Sequence, residues 1–406
     1  MTKKILFLAV ALWGQVYAYV DRVVKVPEDP DQYKDMVELV ETRGYPVESH
    51  IAITTDGYEL TMFRIPYGKV GEPTIGGKPA VILQHGLLDS SYTWINNYDN
   101  ESLGFILADS GFDVWFGNNR GNTYGRAHTS LDPDDGTEDF WTFSFDEMGL
   151  LDVPCFINTV LDLTGVASVG YVGHSEGTIQ MFVAASSVDS SKYVRDAISK
   201  VNLFVGLAPV AYVGNVESEI LVKLAHTDLA QKLQARGVYE FLPNAKVEEF
   251  APELCELAEN ACDFFIGALC GPTNNINTSR YQVYVSETPA GTSIQNILHW
   301  EQGLLTSTFQ KYDWGSEDLN INHYGTPAPP AYDLSKVAVR TALFSGSNDY
   351  LADPTDVKQL LKELPEDTVI FSDVQADYAH LDFTWAMNAG DRIYPQVWFH
   401  TPRFDI

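Results

Sequence analysis

Residues Val169-Gly-Tyr-Val-Gly-His-Ser-Glu-Gly-Thr178 decide how this chain is read. Val169 to Val172 has strand character and runs directly into Gly173-His174-Ser175-Glu176-Gly177, and a helical stretch, Gly177 to Ser187, follows. The pattern is G-x-S-x-G between a strand and a helix. A serine on so sharp a turn exposes its Oγ, and bulky neighbours would clash there, which accounts for the flanking glycines. The Glu176 N–H is left free at a helix N-terminus, aimed where an oxyanion would develop. The bland alternative is a surface serine in a glycine loop. It leaves the strand before and the helix after unexplained.

Outward from that turn, strand and helix signals alternate. Ala80 to Leu83, Phe112 to Phe116, Val166 to Val172 and Val201 to Leu207 read as strands. Leu103 to Ser110 and Glu147 to Leu163 read as helices between them. The rhythm breaks after Leu207, where the text becomes helical, aromatic and irregular. It resumes with a strand at Val339 to Ser345, a helix at Pro354 to Leu364, a strand at Thr368 to Val374 and a helix at Asp391 to His400. The pattern predicts a mostly parallel sheet with helices on both faces. One α/β core, 19–207 and 334–406, interrupted by a helical cap at 208–333, accounts for it better than tandem domains. Ahead of the core, residues 31–43 read as an amphipathic helix stopped by Gly44. Ile51 to Pro66 reads as a hairpin turning at Thr55-Asp56-Gly57.

Parallel strands all end at one rim, so partners for Ser175 are sought after later strands. The strand at 339–345 leads into Gly346-Ser347-Asn348-Asp349, which makes Asp349 the first choice of acid. Asp353-Pro354 looks instead like the N-cap and first residue of the next helix. His380 follows the last strand in a loop, and His400 sits near the terminus. The order Ser, acid, His is that of α/β-hydrolases. The early strand leads into Gln84-His85-Gly86-Leu87, where Leu87 N–H is a candidate second oxyanion donor beside that of Glu176. His85 precedes the serine and is read as structural. The expected chemistry is two-step acyl transfer through Ser175, His380 and Asp349, with no metal and no organic cofactor. The acidic run Asp132 to Gly136 departs from calcium-loop spacing and reads as a solvated turn.

The 406 residues carry 26 Lys+Arg against 55 Asp+Glu, a net charge of −29, with 12% aromatics. So acidic a chain with scattered cations has no nucleic-acid footprint, yet it is too aromatic to be a disordered acidic chain. Residues 1–18 combine basic Lys3 and Lys4 with a short apolar run and Val16-Tyr17-Ala18, the pattern of a signal peptide. No other stretch has the length of a membrane span. Asn100 and Asn277 head N-glycosylation sequons, which suit the same export route. Of the four cysteines, Cys155 reads as a buried thiol. Cys255, Cys262 and Cys270 crowd one stretch that holds at most one bridge.

Taken together these stretches resemble the acid lipases, the family of gastric lipase and lysosomal acid lipase, from about residue 30 to 400. Gln84 to Leu87, Asp113 to Thr123, Phe145 to Met148, Gly173 to Thr178, Pro289 to Asn296, Tyr312 to Gly315, Leu351 to Pro354 and His380 to Phe383 carry the resemblance. It implies an α/β-hydrolase fold, Ser175, Asp349 and His380 as a catalytic triad, and Leu87 and Glu176 as the oxyanion hole. It also implies a Cys255–Cys262 bridge, a cap bearing a lid, and neutral lipid esters as substrates at a lipid–water interface in secreted fluid or the lysosomal lumen. The family usually has Gln after the nucleophile. Glu176 departs from it, and a carboxylate there would make the site more sensitive to pH. Phe241, Phe250, Phe264, Phe265, Ile266, Leu269 and Trp300 would line an acyl tunnel or form the cap's own small core. Two other readings stay open: a non-catalytic lipid-binding or storage protein, and a small-ester esterase or acyltransferase.

Overall fold

Long runs of valine, leucine, isoleucine and phenylalanine bury strands on both faces, and that dictates the centre of this molecule. In the computed structural model, which describes residues 27–71, 78–242 and 259–400, eight of the strands form one continuous path. They are β1 (Glu48–Ile53), β2 (Tyr58–Ile65), β3 (Ala80–Gln84), β4 (Asp113–Phe116), β6 (Val169–His174), β7 (Val201–Leu207), β10 (Thr341–Gly346) and β11 (Val369–Gln375). A short β5 (Ala127–His128) pairs with β2 off that path, while β8 (Glu240–Phe241) and β9 (Thr292–Ser293) pair separately. The order across the sheet is β1-β2-β4-β3-β6-β7-β10-β11. From β4 to β11 every neighbour is parallel, and the β1–β2–β4 edge is antiparallel.

Burial follows position. β3 and β6 are buried throughout. Edge strand β1 alternates, with Ala52 inside and Ile51 and Ile53 exposed. Helices α1 (Met36–Thr42), α2 (Leu103–Asp109), α3 (Val153–Thr164), α4 (Glu176–Ser186), α5 (Lys192–Ile198) and, later, α11 (Pro354–Glu363) belong to the α/β rhythm. The chain leaves β3 to build β4 on one side, then returns to build β6 on the other. This reversal opens a crevice at the carboxyl ends of β3 and β6.

Between β7 and β10, which are neighbours in the sheet, lie α6 (Glu219–Ala225), α7 (Leu229–Gln234), α8 (Glu259–Cys270), α9 (Ile294–Thr306) and α10 (Glu317–Tyr324). Two small apolar clusters hold this segment. One joins Ile266, Ile276, Tyr281 and Tyr284 to Trp385, and the other joins Ala230, Leu233, Ile294, Leu298 and Tyr312, with Phe241 against it. Ile266 and Phe241 therefore serve the segment's own core.

Three expected elements differ in detail. The helix read over 147–163 is a short α turn, Phe145–Glu147, then a π-helical turn, Met148–Asp152, then α3. Pro154 supplies no N–H, and Gly149 is pressed so close to α4 that an added Cβ would lie 2.7 Å from Val183 Cβ. The helix read over 31–43 begins only at Met36, where Asp35 and Glu38 form a reciprocal cap. The last helix splits into Ala389–Arg392 and Tyr394–His400.

Residues 1–18, Cys255 and Phe250 lie outside the described residues, as do the side chains of Cys262, Phe264 and Phe265. Cys155 and Cys270 are buried free thiols. Asn100 is exposed and Asn277 half-buried. Asp132 to Gly136 forms an exposed turn whose Asp132 and Asp135 carboxylates accept nearby backbone N–H groups, with Arg126 on Asp134. Among the described residues no helix is long and apolar enough to cross a membrane.

Candidate active site

Ser175 caps the junction of β6 and α4 at φ 53° and ψ −119°, a conformation that side-chain-bearing residues avoid. The surroundings hold it there. Its N–H donates to Leu207 O at the end of β7, and its carbonyl accepts from Thr178 N and Thr178 Oγ1. A Cβ built on Gly177 would sit 2.4 Å from Gln84 O, and one on Gly86 would sit 2.9 Å from Ser175 Cβ. Glycine at both positions lets the turn and the loop after β3 touch.

Asp349 and His380 arrive from the far side of the sheet. Asp349 follows β10, and its Oδ1 accepts from Leu351 N and Ala352 N at 2.9 and 2.8 Å. His380 follows β11. Its Nδ1 stands 2.9 and 3.0 Å from the two Asp349 oxygens, and its Nε2 stands 2.8 Å from Ser175 Oγ. With Nδ1–H donating to the carboxylate, Nε2 carries the lone pair facing the hydroxyl. All three side chains are buried. Asp353 caps α11 through Thr355 N, as read from the sequence.

Further contacts surround this row. His174 Nε2–H donates to His380 O at 2.9 Å, and burial pushes the His174 ring down to about 3, so it is neutral. The Cys270 carbonyl, at the end of α8, accepts from both His380 N and Tyr350 N. Gly271 packs so tightly on the acid loop that a Cβ there would lie 1.9 Å from Asn348 O. His85 Nδ1–H donates to Gly86 O, and its Nε2 accepts from Asn119 N. That fits the structural reading of His85, and burial holds its ring down to about 4.

Leu87 follows Gly86 directly in a turn closed by Asp89 N–H donating to Gly86 O. Leu88 takes φ 60° and its carbonyl accepts from Ala290 N, while Asp89 accepts from Thr288 Oγ1. Residues 288–290 thus pin the loop that carries Leu87. Glu176 N–H lies at the first position of α4, where no intrahelical acceptor exists. The side chain of Glu176 is the unexpected part. It is 1% exposed, and Oε2 accepts from Asn296 Nδ2 at 2.8 Å and Trp300 Nε1 at 2.6 Å. The sequence reading left Asn296 without a role and placed Trp300 among candidate lipid-facing residues. A carboxylate one residue past a buried turn needs donors, and that was the available signal.

A strand–Ser–helix turn on this parallel sheet, with an acid and a histidine on later loops, defines an α/β-hydrolase. The alpha/beta hydrolase fold model matches residues 79–385, and the partial alpha/beta-hydrolase lipase region matches residues 36–98. The chain belongs to the α/β-hydrolase lipase family. It is 40% identical over 388 residues to gastric triacylglycerol lipase of Bos taurus, covering 95% of this chain and 94% of that one. It is 39% identical to lysosomal acid lipase/cholesteryl ester hydrolase of Homo sapiens, with 91% of each chain covered. A crystallised protein of Sulfolobus solfataricus shares the fold at TM-score 0.51 and 14% identity, covering 87% of this chain and 98% of that one.

Proposed function

We propose that the protein is a lipase that hydrolyses carboxylic esters of neutral lipids, triacylglycerol or cholesteryl ester, through a Ser175 acyl-enzyme in an acidic secreted or lysosomal compartment. The observation that carries the reading is the hydrogen-bonded row Ser175–His380–Asp349, at 2.8 Å and 2.9 Å. His380 Nε2 takes the Ser175 proton as Oγ attacks the ester carbonyl. The Leu87 and Glu176 N–H groups hold the tetrahedral oxyanion, where one such donor is worth about 3 kcal/mol. His380 returns the proton to the leaving alcohol. Water then enters, gives its proton to His380 and releases the fatty acid, and the proton goes back to Ser175. Asp349 accepts the Nδ1–H throughout and stabilises the imidazolium.

The segment 208–333 acts as a cap over the rim, a role supported by its insertion between adjacent strands β7 and β10. The names of the relatives support the substrate class, and the Lys3-Lys4 apolar leader supports export.

Labelling with a fluorophosphonate tests the nucleophile: wild type is modified at pH 5 and Ser175→Ala is not. An unlabelled wild type at both acidic and neutral pH would overturn the catalytic reading and favour a lipid-binding protein. Rates on emulsified triacylglycerol, cholesteryl ester and a short soluble ester across pH 4–8 test the substrate. Better turnover of the soluble ester with no gain at an interface would sink the lipase assignment.

A further inference from the structure

Glu176 sits between two things that need different amounts of charge. Its own N–H faces the forming oxyanion, which gains from nearby donors and loses from a nearby negative charge. Its side chain reaches the other way, into the cap. There Asn296 and Trp300, on the first two turns of α9, both donate to Oε2. Asn296 is itself fixed, its N–H on Ser293 Oγ and its Oδ1 accepting from Phe145 N. An ionised carboxylate is acceptor-only, so these donors suit the charged form. The Gln180 amide, one turn along α4, also favours the charged form. The pocket is therefore built of donors for the ionised carboxylate, and protonation leaves the carboxyl with fewer acceptor sites for them.

We propose that the Glu176 side chain is a protonation-dependent positioning residue: ionised, it clasps cap helix α9 to the nucleophile turn and opposes the oxyanion, and protonated, it loosens the clasp and removes the opposing charge. The inference rests on the catalytic reading of Ser175. Burial pushes the Glu176 carboxyl up to about 7, which puts the change within reach of a compartment's pH. The titratable groups on the elements around it are His174 and His380 at the turn, Asp146, Glu147 and Asp152 before α3, and His299 and Glu301 on α9. None of these has a hydrogen bond to the Glu176 carboxylate among the described residues. Arg120, a cation on the same side, is taken by Asp152 and Asp56. His299 is turned to Ser144 and Gln310, and burial holds it down to about 4.

The sign follows. His380 must be neutral to accept a proton, so turnover rises with pH while it deprotonates. Ionisation of Glu176 then lowers turnover at higher pH. With p-nitrophenyl butyrate, a soluble ester, kcat of wild type should fall about tenfold or more between pH 6 and 8.5. In Glu176→Gln, whose amide is neutral at every pH, that alkaline limb should vanish. A limb shared by both proteins, or absent from wild type, would overturn the proposal. Hydrogen-exchange protection factors of Ile294–Thr306 give a readout independent of turnover. Wild type should be better protected at pH 8 than at pH 5, and Glu176→Gln equally protected at both. Protection in wild type that does not change with pH would also overturn it. A protein that takes no fluorophosphonate yet shows the pH-dependent protection would refute the catalytic reading and leave the clasp standing.

Discussion

Ser175 is held at positive φ, and its strain of about 1–3 kcal/mol is offset by what surrounds it. Thr178 takes its carbonyl twice, and Gly86 and Gly177 let backbone close on it from two sides. His174 does a related job for His380. Its ring gives Nε2–H to the His380 carbonyl while its Nδ1 is buried without a partner. His174→Leu should leave that carbonyl unpaired at about 1–3 kcal/mol and lower kcat about tenfold, with KM unchanged. His174→Gln, whose amide can reach the same carbonyl, should recover much of both in kinetics and thermal melts. Equal kcat for His174→Leu and wild type would show that the contact does not position His380. Ser175, Asp349 and His380 were legible from the sequence because each stands just past a readable strand. Asn296 was not, because its partner Glu176 lies 120 residues away and only folding makes them neighbours.

At the scale of elements, α8 makes the contact of greatest consequence. A helix ends with carbonyls that lack intrahelical donors, and here the last of them, on Cys270, takes the N–H of His380 and of Tyr350 together. The loops bearing His380 and Asp349 are thereby tied to one helix end in the segment between β7 and β10. Gly271 makes the close approach possible, at φ 105° and with no room for a Cβ against Asn348 O. Gly271→Ala should cost about 3 kcal/mol in urea unfolding and lower kcat more than it raises KM. A variant of native stability and rate would mean that α8 and the two loops are not coupled there. Helix and strand positions were readable from apolar period and from caps such as Asp353-Pro354. The π turn at Met148–Asp152 was not, because it answers to Gly149 packing on α4 as well as to local preference.

For the whole molecule, buried titratable groups pull stability in opposite directions as pH changes. Burial raises Asp89, Asp146 and Asp382 to about 6 and Glu176 to about 7. Groups of that kind add stability as pH falls through the folded value, and the gain is complete below the unfolded value of about 4. Burial lowers His85 and His299 to about 4 and His174 to about 3. Those histidines subtract stability as pH falls below the unfolded value of about 6.5. Between pH 8 and 5 the two sets largely cancel. Below about 4 only losses continue, joined by Asp31, Glu48 and Asp56, whose ion pairs hold them below the usual carboxylate range against their burial. Melting temperature by calorimetry should therefore change by less than about 5 °C from pH 8 to 5 and drop steeply below pH 4. A monotonic fall from pH 8 to 5 would contradict this balance.

The sequence by itself determined the α/β alternation, the turn that bears Ser175 and the rim where acid and base had to be sought. These are local matters: apolar period, glycine at a tight turn, and the common direction of parallel strands. Only the tertiary structure decided that Glu176 binds α9 through Asn296 and Trp300, that the Cys270 carbonyl grips both loops, and that Trp300 is turned to α4. The reason is physical. A buried charge or an orphan carbonyl must find its partner wherever packing brings one within about 3 Å, and separation along the chain carries no information about that distance.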